Sequence, residues 1–223
     1  MHLRPLVLVS TLTLAFAAHA AGPDIEKVNG SITAEAGQTY GRLETVNGSI
    51  RIGDRATVEK AETVNGSIRV GDDARTGGLE TVNGSIRTGE KVVVGGPLET
   101  VNGGIFVDRG GLVSGDIETV NGAIGLVRTT VEGDLSTVNG DVTVGIGSHV
   151  KGGLRYQKPN VNISWQPQRD PRVIIGPDAR VDGPLVFERK VVLYVHRTAR
   201  TGPVTGAQAI RFDGPTPPDT QND

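Results

Sequence analysis

Leu79-Glu80-Thr81-Val82-Asn83-Gly84-Ser85-Ile86-Arg87 is the stretch on which the fold turns. Its β-branched residues favour an extended chain, and the Asn-Gly pair in its middle favours a sharp corner over continued helix. The same phrase returns along the chain. Thr-Val-Asn-Gly or a near variant occurs seven times, with Asn at 29, 47, 65, 83, 102, 121 and 139, spaced by 18, 18, 18, 19, 19 and 18 residues. A unit of this length is too short for a helical hairpin repeat, so it reads as short strands joined by turns, one coil per unit.

Rows emerge when the units are stacked. Ile32, Ile50, Ile68, Ile86, Ile105, Ile124 and Val142 form one apolar row, and Ile25, Leu43, Ala61, Leu79, Leu98, Ile117 and Leu135 form another. Val28, Val46, Val64, Val82, Val101, Val120 and Val138 are read as a third interior row, and Thr45, Thr63, Thr81, Thr100, Thr119 and Thr137 as an outward one. Coils stacked at about 4.8 Å would make a core that no single coil can bury. The fold class is therefore all-β, a single-stranded triangular β-solenoid with coils of about 18 residues. Val46, Ile52, Val58, Val64 and Val70 fall six apart, as in left-handed hexapeptide helices, but the one-residue insertions before Leu98 and Ile117 break that rule. Crossover chirality then favours a right-handed path.

The corner pairs Asn29-Gly30, Asn47-Gly48, Asn65-Gly66, Asn83-Gly84, Asn102-Gly103, Asn121-Gly122 and Asn139-Gly140 are assigned a structural role. Glycine is expected to supply a positive φ there, and the stacked Asn amides to bond one to the next as in cross-β ladders. Reading the Asn-Gly-Ser triplets as glycosylation acceptors would require exposed amides and a eukaryotic secretory host.

Other segments frame the array. Residues 1–21 read as a signal peptide, with Arg4, an apolar run from Leu6 to Ala18, and Ala18-His19-Ala20 as a cleavage site. That run is well short of the roughly 20 residues a bilayer span needs, and no integral span is expected in the mature chain. Residues 22–154 are the solenoid repeats, and 155–172, with the only Trp at 165, an aromatic and proline-rich insertion or cap. Residues 173–210 are degenerate coils and 211–223 a disordered tail.

Composition restricts function. The 223 residues include 32 Gly and no Cys, which removes disulfides, thiolate metal sites and a cysteine nucleophile. A formal charge of -2 gives no basic field to attract nucleic acid. Glu26, Glu44, Glu62, Glu80, Glu99 and Glu118 stack at one repeat position, and Arg51, Arg69 and Arg87 form a row across the Asn-Gly corner. Of these, Glu44, Glu62, Glu80, Glu99, Glu118, Arg51, Arg69 and Arg87 are the candidate binding face, suited to a glycan or a cation. His149 would be the base if this were a hexapeptide acyltransferase, yet it stands alone in sequence and reads as surface. The Thr row could be an ice-binding ladder, but only one rank is present. No phosphate loop, triad order or zinc spacing occurs, so no cofactor, metal or enzymatic activity is expected.

Eighteen-residue coils with a valine, a corner glycine and an Ile-x-Val-Gly continuation, together with Gly176-Pro177-Asp178-Ala179-Arg180-Val181-Asp182-Gly183-Pro184-Leu185, resemble the bactofilin-like, polymer-forming β-helix repeats of bacteria. The Val-Asn-Gly-Ser-Ile element is also similar to repeats of bacterial adhesin-head domains. The resemblance covers roughly residues 25–154 and 173–206, is one of repeat shape, and implies a right-handed β-helix and self-assembly. Bactofilins act in the cytoplasm, whereas this chain carries an export signal. The expectation is an exported, non-catalytic scaffold or adhesin-like protein, periplasmic or at the cell surface, that self-associates or meets a cell-envelope component. The alternative is an extracellular or periplasmic glycan-binding or glycan-modifying β-helix protein.

Overall fold

A computed structural model of the chain describes residues 22–158 and 169–218; residues 1–21, read above as a signal peptide, and Trp165 lie outside the described residues. Every described element is a strand, and every pairing is parallel, coil upon coil. Three faces recur. The first carries the Leu-Glu-Thr-Val-Asn segments, such as Leu79–Asn83 and Leu98–Asn102, in the register Leu79↔Leu98, Thr81↔Thr100 and Asn83↔Asn102. The second is a ten-stranded stack from Ile32–Ala34 to Ala209–Phe212. The third holds short strands such as Arg75–Thr76 and Val93–Val94. Thr39–Asn47 and Thr57–Asn65 run unbroken from the third face onto the first.

The Leu and Ile rows fill the interior as expected, with Leu43, Leu79, Leu98, Ile50, Ile86 and Ile105 all buried. The third interior row is a different one. Val46, Val64, Val82, Val101 and Val120 are 40 to 42% exposed, whereas Thr45, Thr63, Thr81, Thr100 and Thr119 are 3 to 5% exposed. Strand parity is the reason. Successive side chains point to opposite faces, so a buried Leu79 fixes Thr81 inside and places Glu80 and Val82 outside. From Thr45 to Thr119 the hydroxyls are not stranded there, whereas that of Thr137, at the last coil of the row, is buried without a partner. Thr63 and Thr81 donate to the carbonyls of Gly48 and Gly66 at 2.8 Å, and Thr100 to Gly84 at 2.9 Å. The reading of this row as outward, and with it the ice-binding ladder, is overturned.

The Asn row forms the expected amide ladder. Asn47 donates to Asn29 at 3.0 Å, Asn65 to Asn47 at 2.9 Å, Asn83 to Asn65 at 3.0 Å, and Asn102, Asn121 and Asn139 continue it. The glycines do something other than expected. Among the corner glycines only Gly30 and Gly140 have positive φ; the left-handed positions lie at another corner, at Gly37, Arg55, Asp73, Lys91, Gly110, Arg128, Gly147 and Asp178. What requires glycine after Asn is the coil below, since a Cβ at Gly84 would sit 1.9 Å from the Gly66 carbonyl oxygen.

Most of the segment expected as an insertion or cap, residues 159–168 of 155–172, lies outside the described residues. On either side of it Val142 pairs with Val173 and Leu154 with Leu185, so the stack continues beyond that segment. Ala209–Phe212 adds a final strand with Phe212 buried, which carries the fold two residues into the segment expected as tail.

Two substitution pairs test these assignments by denaturant midpoints. Gly84→Ala meets backbone and should cost about 3 kcal/mol or more, whereas Gly37→Ala has positive φ but no atom within 4 Å and should cost about 1 kcal/mol. Thr81→Val leaves a buried carbonyl unpaired and should cost about 1–3 kcal/mol. Val82→Thr, on the outside, should stay within about 0.5 kcal/mol.

Candidate functional site

Strand parity turns the outside of the first face into two parallel rails. Glu and Val alternate outward along each strand about 6.6 Å apart, and each repeats one coil higher at about 4.8 Å. Glu44↔Glu62↔Glu80↔Glu99↔Glu118 are in direct register. Between the rails lies a groove of about 500 Å³ with the Thr row as its floor, running from Glu26 and Lys27 to Ser136 and Gln157.

Carboxylates stacked this closely repel, and the chain neutralises only one end of the row. Lys60 bridges Glu62 and Glu80, the latter at 2.8 Å, and these two hydrogen bonds raise its pKa above the ordinary lysine range. Arg42 lies 3.4 Å from Asp24 and 3.7 Å from Glu44. Beyond Lys60 the equivalent position passes to Gly78, Pro97 and Asp116, so no cation from that position serves Glu99 or Glu118. Burial, with the Glu80 and Glu118 charges on either side, pushes the Glu99 carboxyl above its usual range. The acidic row then stops at Ser136, and Arg155 follows it.

The Arg row stands on the neighbouring face. Arg51, Arg69 and Arg87 are stacked in register on the second face and make no ion pair among the described residues. The Asn-Gly corner separates them from the Glu row, so the candidate binding residues form two surfaces rather than one. Phe106 takes the next place in the Arg row, with the Arg87 guanidinium 5.2 Å from its ring centroid, and Gly125 above it leaves space for the ring.

Elsewhere the chemistry is local. His149 Nε2 lies 2.8 Å from Asp182 Oδ2 on the third face, and that contact, joined by Arg180, holds the Asp182 carboxyl below its ordinary range. His196 is buried on the second face against Phe212, with Nδ1 2.9 Å from the Thr198 hydroxyl. The stacked carboxylates run in a line and do not converge; no group of three acidic or histidine side chains suited to a metal occurs among the described residues. No helix among them is long and apolar enough to cross a membrane.

Three residues at the insert escaped the sequence reading. Tyr156 occupies the Thr position of its coil and reaches the Gly140 carbonyl with its hydroxyl; burial pushes its pKa up to about 12. Arg189 lies four residues after Leu185, the Asn position, and its guanidinium donates to the side-chain oxygen of Asn139, the last rung of the ladder. Asp141 receives Arg169 at 2.7 Å and the Arg172 amide at 2.9 Å. Burial pushes the Asp141 carboxyl up, but these partners outweigh it and hold it low. Counting from the buried Leu of each coil would have found Tyr156 and Arg189.

No family model, curated protein or solved structure matches the chain.

Glu99 gives this surface a pH signature. Its folded pKa is raised, so the stability it contributes is present at low pH and is lost as pH rises through that raised value. Glu99→Gln should therefore stabilise the protein near neutral pH by roughly 0.2–1 kcal/mol. The gain should shrink as pH falls toward the ordinary carboxylate value of about 4. Thermal melts of both proteins across pH check this, and a gain that grows toward acid would contradict it.

Proposed function

We propose that this chain is an exported, non-catalytic β-solenoid that serves as a structural scaffold or adhesin-like surface protein of the bacterial envelope and assembles with copies of itself. Export rests on the signal-like Met1–Ala21 segment. The observation that carries the assembly is the Val rail, a contiguous apolar strip held outward beside a row of carboxylates. Contiguous exposed apolar strips rimmed by charge mark interaction surfaces.

A second copy suits this surface for a geometric reason. Arg51, Arg69 and Arg87 repeat at the coil spacing, as Glu80, Glu99 and Glu118 do. Two solenoids lying side by side can therefore match one row to the other over several coils. An extended peptide laid along the axis advances about 3.3 Å per residue and falls out of step with a 4.8 Å rail. A second reading, a linear glycan ligand, is favoured by the continuous groove and its open carboxylates.

Light scattering on the chain from Ala21, across concentration, separates the two. Self-assembly predicts mass that grows with concentration, falls when Val82 and Val101 are changed to Lys, and falls when Arg51, Arg69 and Arg87 are changed to Glu. A monomer at every concentration would overturn it, and retention on polysaccharide that depends on Glu80 would then establish the glycan reading.

A further inference from the structure

The Asn-Gly pairs that build the corners are also the dipeptides most prone to spontaneous deamidation. The backbone nitrogen of the glycine attacks the side-chain Cγ of the asparagine, a C–N bond forms, and ammonia leaves with the departing amide nitrogen. The resulting succinimide is opened by water at either carbonyl to give aspartate or isoaspartate. The reaction needs a glycine N–H free to lose its proton and a Cγ polarised for attack.

Six corners deny the first condition. The Gly30 N–H donates to the Asn47 carbonyl at 2.9 Å, and Gly48, Gly66 and Gly84 donate to Asn65, Asn83 and Asn102 at 3.1 Å. Gly103 and Gly122 do the same to Asn121 and Asn139, at 2.9 and 2.8 Å. In each case the nitrogen that would attack is engaged with the next coil. Asn29 has a side-chain nitrogen that donates to no other rung, but its Gly30 N–H is engaged like the rest.

The seventh corner differs in both respects. Above Asn139-Gly140 the described chain runs to Lys158, no further Asn carbonyl is stacked there among the described residues, and the Gly140 N–H donates to no acceptor among them. Its φ of 137° also departs from the negative values of Gly48 through Gly122. At the same corner the electrophile is activated. The side-chain oxygens of Asn29 through Asn121 accept from a neutral amide, whereas that of Asn139 accepts from the Arg189 guanidinium, which is clamped by a second bond to the Val138 carbonyl at 3.1 Å. A charged donor on that oxygen withdraws electrons from Cγ and stabilises the oxyanion that forms on attack.

We propose that Asn139-Gly140 is a self-modification site, where a succinimide forms and opens to aspartate or isoaspartate while the stacked corners below it stay intact. The product exchanges the amide donor that held Asn121 for a carboxylate facing Arg189, so an ion pair replaces the last rung of the ladder.

The test is to hold the folded full-length chain in mildly alkaline buffer, digest it, and measure by mass spectrometry how fast each Asn-Gly gains acid or isoaspartate. A parallel sample is kept in urea. In the folded chain Asn139 should convert about tenfold or more faster than any other corner, a barrier difference the size of one hydrogen bond to a charged group. In urea, where the stack is lost, the preference should disappear. R189Q, checked by circular dichroism for retained strand structure, should slow conversion at Asn139 several-fold. Even conversion across the seven corners of the folded chain, conversion led by any other corner, or no conversion at Asn139 while the urea sample reacts would each overturn the proposal. An unchanged or faster rate in R189Q would overturn the part assigned to the guanidinium.

Discussion

Everything in this molecule depends on how closely one Asn-Gly corner approaches the next. The Gly48 N–H donates to the Asn65 carbonyl, its own carbonyl accepts the Thr63 hydroxyl, and its α-carbon faces the Gly30 carbonyl at a distance that leaves no space for a side chain. The neighbouring Asn amides link the same three coils from outside. Each corner from Asn47-Gly48 to Asn102-Gly103 is thus a node whose polar groups are satisfied by the coils around it, which is the condition for irregular backbone to repeat without cost from buried unpaired groups. The apolar rows then need only fill the space that this spacing sets.

The period, the Leu and Ile rows and the Asn ladder were legible because each depends on identity at a fixed interval, and identity is what a sequence displays. The Val and Thr rows were not, because hydrophobicity and strand parity disagree there. Valine looks interior by type, yet Val82 is an odd number of residues from Leu79 and must point the other way. Thr81 is polar by type, and its partner, the Gly66 carbonyl, comes within reach only once the coils are stacked. The corner glycines posed a similar problem. Their conservation of form along the array could mean a left-handed backbone or a close approach, and only coordinates separate the two. The left-handed turns instead fall on solvent-facing Arg55, Asp73 and Lys91, whose residue types gave no local signal. In the candidate site, both charged rows could be read from spacing, but their placement on separate faces follows from the corner between them.

Repetition also explains the character of the surface. A side chain that is harmless once becomes a row when coils stack, so charge, apolar area and repulsion all accumulate along the axis. Lys60 answers this for Glu62 and Glu80, but one cation cannot serve the coils of Glu99 and Glu118. The Arg row carries the opposite imbalance on the next face. Within one molecule the corner keeps these imbalances apart, and the assembly proposed above would let them meet between molecules of the same period.

The same logic reverses where the repeat stops. In the stack, a coil protects its neighbour by occupying the groups that would otherwise react or attract water, and this protection is mutual only while the next coil presents the same corner. At Asn139 the next coil gives Tyr156 in place of Thr and an insert in place of Asn-Gly. The fold repairs the core side of that gap with the Tyr156 hydroxyl and the outer side with Arg189, two longer side chains reaching for acceptors that a regular coil would have met. Neither reaches the Gly140 nitrogen. The repair that satisfies the Asn139 oxygen is made by a cation, which also sharpens the carbon beside it, so the end of the ladder is stabilised and made reactive by one contact.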